Sequence, residues 1–352
     1  MSRRTWAGIL AVVLIVGMSV WAARMDVPYA TFAPGPTVNV LGEYDDKDII
    51  TVAGHESHRD NGGLDLTTVV PSLPKEKISI PQLMLAWISP DQAVYPYEAI
   101  YPSTATQSSV KEESSAQMVS SQDNAIAAAL GALEIPYTAA VKVAEVTKGG
   151  PADGKLKAGD LVLEVNGKKV TSVEELTSMT RPLPVGSEVT MQVRRGEREL
   201  AQKLTTVASP ANKKESVVQV TIAPSFEFPF DVNLNIDDSI GGPSGGLMFA
   251  LGIYDVLTPG SLTEGATIAG TGEIDAKGRV GAIGGIQQKL VGAQDDGAKL
   301  FLVPADNCAE ALDGHYDPDK MRLVKATTLE AAIKDVQAWV DDPDATLTRC
   351  TK

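Results

Sequence analysis

Residues 268–304 read IAGTGEIDAKGRVGAIGGIQQKLVGAQDDGAKLFLVP, and their texture decides the fold. Two apolar runs, residues 267–269 and 298–303, have the character of short strands. Between them, residues 285–293 have that of a helix, with Lys289 among Ile286, Leu290 and Val291. Upstream, residues 240–257 read IGGPSGGLMFALGIYDVL, which sets Ser244 after a Gly-Gly-Pro turn and at the start of an apolar, helix-forming run. A serine there has unpaired backbone N–H groups beside it and the positive end of a helix dipole beneath it, which suits a developing oxyanion. The same residue also reads as a helix cap. Glycine is concentrated here: 15 of the 31 glycines fall in residues 241–297, so much of this region is built from tight turns and close main-chain approach.

Taken together, G-P-S-G-G, then T-G-E-I with G-R-V-G-A-I-G-G, then G-G-I-Q-Q-K-L resembles the proteolytic domain of Lon proteases, three linked motifs in order. The likeness extends upstream to GLDLTTVV at residues 63–70 and to the Ala-rich helix of residues 114–133, with Met118 and Ser121. The resemblance implies a Ser-Lys dyad, with Ser244 as nucleophile, Lys289 as general base and Thr271 orienting the lysine amine. An amine of ordinary pKa cannot take a proton at neutral pH unless its surroundings lower that value, and apolar neighbours supply the desolvation. The backbone at Ser244, with the turn at Gly241 and Gly242, is the expected oxyanion hole. Many family members carry an acidic residue where Gly241 stands, so no carboxylate role carries over.

A second texture fills residues 137–207, where short β runs alternate with Gly turns. Gly150-Pro151-Ala152, then Leu156-Lys157-Ala158-Gly159-Asp160, Leu163, Val165-Asn166-Gly167 and a helix at residues 173–179 resemble a PDZ domain of the type attached to bacterial proteases. Such domains bind an extended peptide by strand addition. The resemblance places the binding loop at Tyr137, Thr138, Ala139 and Ala140 and the accepting strand at residues 141–146, with Val141 and Val143 in the groove. The loop YTAA lacks the glycine that many relatives have. Within this region Gly149 to Lys155 fits G-x-x-x-x-G-K, but Leu156 stands where a phosphate loop needs Ser or Thr.

Residues 6–23 form 18 consecutive uncharged positions, about 27 Å as a helix, preceded by Arg3 and Arg4. This reads as an anchor with its amino end in the cytoplasm and the remaining chain beyond the membrane. A cleaved signal peptide is the alternative, with Val20 and Ala22 as the small residues of a cleavage site. An oxidising compartment permits a disulfide between Cys308 and Cys350, which otherwise are two free thiols. The net charge of −14 opposes phosphate backbones and argues against nucleic acid as a partner. Three histidines and two cysteines leave no structural zinc cluster, so no metal or cofactor is expected.

The expected fold is α+β: an N-terminal transmembrane helix and a β-rich PDZ module inserted into a split Lon-type α/β proteolytic domain. Its expected segments are 1–26, cytoplasmic stub and transmembrane anchor; 27–136, an extracytoplasmic segment that includes the first part of the Lon-type domain; 137–207, PDZ; and 208–352, the Lon-type proteolytic domain with the dyad. The whole resembles bacterial membrane-anchored PDZ-Lon proteases, which implies an endopeptidase acting without ATP on unfolded or extended protein and peptide segments. The resemblance also leaves room for a homo-oligomer, since Lon-type domains commonly form rings. The alternative from another class is a membrane-tethered PDZ adaptor without catalysis. Gly242 to Gly246 also fits the G-x-S-x-G elbow of esterases, but His315 is the one histidine after Ser244. An S-x-x-K match at Ser72 to Lys75 is broken by Pro74.

Overall fold

The computed structural model describes residues 3–59, 61–237 and 239–352. Met1 and Ser2, the start of the expected cytoplasmic stub, lie outside the described residues, as do Asp60 and Asp238. The chain divides into two compact units, one made of Met1–Glu134 with Phe230–Lys352 and the other of Ile135–Pro229.

In chain order the first unit begins with α1 (Arg3–Arg24), β1 (Tyr29–Asn39), β2 (Gly63–Pro71), α2 (Ile80–Ile88), β3 (Ala93–Pro96) and α3 (Gln107–Ala132). The second unit contains β4 (Thr138–Val146), β5 (Leu161–Val165), α4 (Val173–Thr180), β6 (Glu188–Arg195), β7 (Arg198–Thr205) and β8 (Val220–Glu227). The first unit then resumes with α5 (Gly246–Leu257), β9 (Thr267–Gly270), α6 (Ile286–Asp295), β10 (Leu300–Pro304), α7 (Cys308–Leu312), β11 (Arg322–Ala326) and α8 (Leu329–Asp341). Helix α1 is long and apolar enough to cross a membrane, with a mean hydropathy of 2.0 over Arg3–Ala22.

One six-stranded sheet, in the order β11-β10-β9-β2-β1-β3, holds the first unit together. Its strands β2, β9, β10 and β11 run parallel, and β1 pairs antiparallel with β2 and β3. Strand β2 joins the two sequence halves, because Gly63 to Leu66 pair with Thr267 to Gly270 across the interposed unit. The sequence suggests strands and turns from residue 27 to 42; the structure makes one 11-residue strand, β1. It absorbs its Pro-Gly-Pro through a register shift between Pro34 and Thr37, where a missing ladder bond costs little.

Helices flank both faces of this sheet. Leu66 packs against the start of α5, since a Cβ on Gly245 would lie 2.9 Å from its Cδ1. Val69 meets the start of α6, where a Cβ on Gly285 would lie 2.9 Å from its Cγ1. Positions 66 and 69 differ in parity, and alternate strand residues point to opposite faces. Helix α3 packs against α5. Its polar first half, which by composition reads as a solvated loop over residues 103–115, is helical from Gln107 onward. Thr106 caps it by accepting from the Ser109 N–H at 3.1 Å, and its second half buries Ala125 to Leu130.

The second unit has its own sheet, ordered β7-β6-β5-β4-β8, over a core that includes Val141, Val143, Leu156, Val162, Val189 and Leu204. The compact unit runs on past the expected module end at Val207 as far as Pro229, because β8 pairs antiparallel with the whole of β4, from Val220 opposite Val146 to Glu227 opposite Thr138. Strand β4 is not a sheet edge. It is paired to β5 through Val141 and Lys142 and to β8 on its other side, so the strand expected to accept a peptide is interior. Thr138, Ala139 and Ala140 lie within β4 rather than in a loop, and Tyr137 stands beside Phe226 and Phe228 with ring centroids 5.8 Å away.

Candidate active site

Ser244 stands two residues before α5, on the turn that Gly241 to Pro243 make. It does not cap that helix. The capping position is Gly245, and the Ser244 hydroxyl turns to Lys289. The glycines around it are demanded by space. Gly242 has a φ of +84°, in the left-handed region, and a Cβ on Gly241 would lie 2.1 Å from Ser114 Oγ. A Cβ on Gly246 would lie 2.9 Å from Ile274.

Lys289 projects from α6, and its Nζ lies 2.8 Å from Ser244 Oγ and 2.8 Å from Thr271 Oγ1. Thr271 follows the carboxyl end of β9, where parallel strands of an open α/β sheet place their ligands. Its hydroxyl donates to the Ser244 carbonyl at 3.0 Å, which leaves a lone pair turned to the amine. The Gly272 N–H donates to the same carbonyl at 2.8 Å. The turn carrying Ser244 is therefore tied to the strand end that carries Thr271.

Lys289 is 2% exposed, and no ion pair reaches it among the described residues. Burial alone pulls its amine from 10.5 down to about 7. A fair fraction of the chains therefore carries an unprotonated amine beside the Ser244 hydroxyl at neutral pH, and an amine so placed can take the hydroxyl proton.

Ser244, Thr271 and Lys289 thus come together. Of the three residues expected at the oxyanion hole, one has its N–H engaged elsewhere. The Gly242 N–H is spent on the Ser114 carbonyl at 3.0 Å, because α3 packs beside the turn. The N–H groups of Gly241 and Ser244 make no hydrogen bond among the described residues. Cys308 and Cys350 form a disulfide, closing 42 residues of chain. Cys308 belongs to the cluster that also holds Ile286 and Leu290 of α6.

Two supports were not singled out from sequence for these roles. Ser121 of α3 donates to the Pro243 carbonyl at 2.9 Å, holding the Ser244 turn from behind. The Asn307 amide brackets the loop before α6, accepting from the Ile283 N–H at 2.8 Å and donating to its carbonyl at 2.9 Å. Ser121 stands out in the sequence only through the family likeness, and Asn307 carries no local signal because it acts across 24 residues.

Comparison with known proteins matches residues 115–206 to the PDZ domain family and residues 231–336 to the Lon protease (S16) C-terminal proteolytic domain. The Lon protease of Clostridioides difficile (strain 630) is 33% identical over 135 residues, covering 36% of this chain and 17% of that protein. Lon protease 1 of Bacillus subtilis (strain 168) is 27% identical over 163 residues, covering 44% of this chain and 20% of that protein. The chain thus spans a fifth or less of the length of these relatives. Among solved structures, the PDZ domain of an SdrC-like protein from Listeria monocytogenes aligns at 24% identity with a TM-score of 0.22, covering 23% of this chain and 85% of that one. The chain joins a PDZ module to a Lon-type proteolytic domain.

Proposed function

We propose that this chain is a serine endopeptidase that works without ATP through a Ser244-Lys289 dyad, anchored by α1 and acting on unfolded or extended segments of proteins outside the cytoplasm. The observation that carries the reading is the buried Lys289 amine, 2.8 Å from Ser244 Oγ and 2.8 Å from Thr271 Oγ1. As Ser244 Oγ attacks a peptide carbonyl, its proton passes to Lys289 Nζ and the C–O bond forms. The oxyanion is met by the N–H groups of Ser244 and Gly241. The lysine ammonium then returns the proton to the leaving amine as the C–N bond breaks. Water attacks the ester with Lys289 again as base, which restores Ser244. No step draws on a nucleotide.

Thr271 is a positioning residue in this scheme, holding the amine on its trajectory. The extracytoplasmic placement is supported by Arg3 and Arg4 at the amino end of α1 and by the Cys308–Cys350 disulfide, a bond that oxidising compartments keep. In the PDZ module the peptide edge we assign is β8, which ends its sheet with α4 beside it. Ile222 of β8 and Val173 and Met179 of α4 pack on one core and form the apolar floor for an added strand that recruits or gates substrate.

The test is nucleotide-free cleavage of an unstructured protein by the full chain in detergent, beside Ser244→Ala and Lys289→Ala. Cleavage by the parent chain with both variants silent supports the dyad. Equal activity in all three overturns it. Inertness of all three, together with no labelling of Ser244 by a fluorophosphonate, favours the tethered PDZ adaptor instead.

A further inference from the structure

Helix α2, IPQLMLAWI, carries an apolar surface that the first unit does not cover. Leu85 is 66% exposed, Trp87 75% and Ile88 73%, while Ala86 is its buried residue. No charged side chain occurs from Ser79 to Pro90. Four large apolar side chains, Met84 included, standing in water on nine residues form a patch of the kind that marks an interaction site.

The position of α2 names its partner. The Val27 N–H donates to the Ile78 carbonyl at 3.0 Å, and Asp26 bridges Ser79 in an antiparallel pairing. The start of α2 is therefore fastened, at about a strand spacing of 5 Å, to the residues that directly follow α1. A nine-residue helix extends only about 13 Å. Where α1 crosses a bilayer, every apolar residue of α2 lies close to the level at which the chain leaves the hydrocarbon, within reach of the headgroup layer. At the amino end of α2, Arg24, Lys75 and Lys77 outnumber Asp26 and Glu76, so a chain of net charge −14 is basic at that end, while Asp91 follows the other. Lys77 stays solvent-facing even while its amine lies 3.4 Å from Asp26. A tryptophan beside leucine and isoleucine is also the composition that settles at membrane interfaces.

We propose that α2 is an interfacial helix that lies in the outer headgroup region and seats the dyad-bearing unit on the lipid surface. The proposal rests on the anchor reading of α1 given above. It is tested with the full chain in mixed phosphatidylcholine and phosphatidylglycerol vesicles containing acyl-brominated lipid, using two single-tryptophan versions. One keeps Trp87, the other Trp21 of α1, with the remaining tryptophans replaced by phenylalanine. The expected result is loss of fluorescence from both, and loss of the Trp87 quenching alone when Leu85→Lys and Ile88→Lys are added, with fluorophosphonate labelling of Ser244 retained. Quenching of Trp21 without quenching of Trp87 overturns the proposal and leaves the anchor standing. A blue-shifted but unquenched Trp87 overturns it in favour of a second copy or another protein as the cover. Absence of quenching at both positions removes the anchor reading and this one with it.

Discussion

Lys289 and Asp160 are each buried charged groups, one in each unit, and they are held in opposite ways. Asp160 has a fully buried side chain, yet the Arg195 guanidinium grips it through Nε and Nη2 at 2.7 Å each, and the Lys157 N–H adds a third bond at 2.9 Å. Burial pushes its carboxyl up, but the Arg195 and backbone bonds outweigh that and hold it below the ordinary value. Lys289 receives only hydroxyls. Burial then acts unopposed, and the amine drops to about 7. The difference teaches that a buried charge given its counter-ion becomes a fastener, whereas one denied it becomes a proton acceptor.

The comparison breaks most visibly at Lys289. Lys289→Ala is expected to lower the cleavage rate by about a thousandfold or more, as loss of a dyad member does. Lys289→Arg is expected to do no better, because a guanidinium cannot give up its proton. Rates on an unstructured substrate under single-turnover conditions check both.

Thr271→Val keeps the shape and removes the hydroxyl that orients the amine. The expected loss is about 10- to 100-fold in kcat with KM little changed, on the scale seen when an orienting partner is lost. Substitution of the fastener acts elsewhere. Arg195→Met leaves Asp160 buried without its partner and is expected to destabilise the second unit. Hydrogen exchange over β4 and β5 reads this, and adding Asp160→Asn is expected to recover part of the loss.

Stability against pH sharpens the contrast further. The folded chain holds Lys289 near 7 and the unfolded chain near 10.5, so between those values the unfolded state binds more protons and stability climbs with pH. Lys289→Met removes that cost. Its melting temperature relative to the parent chain is expected to be most favourable below pH 7 and to fall back as pH approaches 10. The smallest effect is expected at Asp65 on β2, which burial, and after it Asp296, raises to about 6. Asp65→Asn is expected to leave the midpoint of the activity profile near 7, because Asp65 does not touch the dyad.

Ser244, Thr271 and Lys289 are legible in the sequence because each sits in its own glycine-marked motif, in which a Cβ on Gly241, Gly245, Gly246, Gly272 or Gly285 would come within 3.0 Å of a neighbour. The disulfide was legible only as a pairing that an oxidising compartment permits. What escaped reading was set by pairing over long distances. Nothing local in VTIAPSFE says that β8 will pair with β4 and move the free edge of the PDZ sheet away from the strand at residues 141–146. The sequence predicts α3 only from residue 114 onward, because its exposed first half buries little and is held by the Thr106 cap. The sequence points to Gly242 for the oxyanion hole because nothing local shows that its N–H donates to the Ser114 carbonyl of α3.

The central claim, that a proton-poor Lys289 activates Ser244, is tested most directly by the pH dependence of Ser244 labelling with a fluorophosphonate in the full chain. The account predicts a labelling rate that rises with pH through a midpoint near 7, the value to which burial brings the amine, and collapses across the whole range in Lys289→Met. A rate that ignores Lys289, or that rises only near the ordinary lysine value, would contradict it.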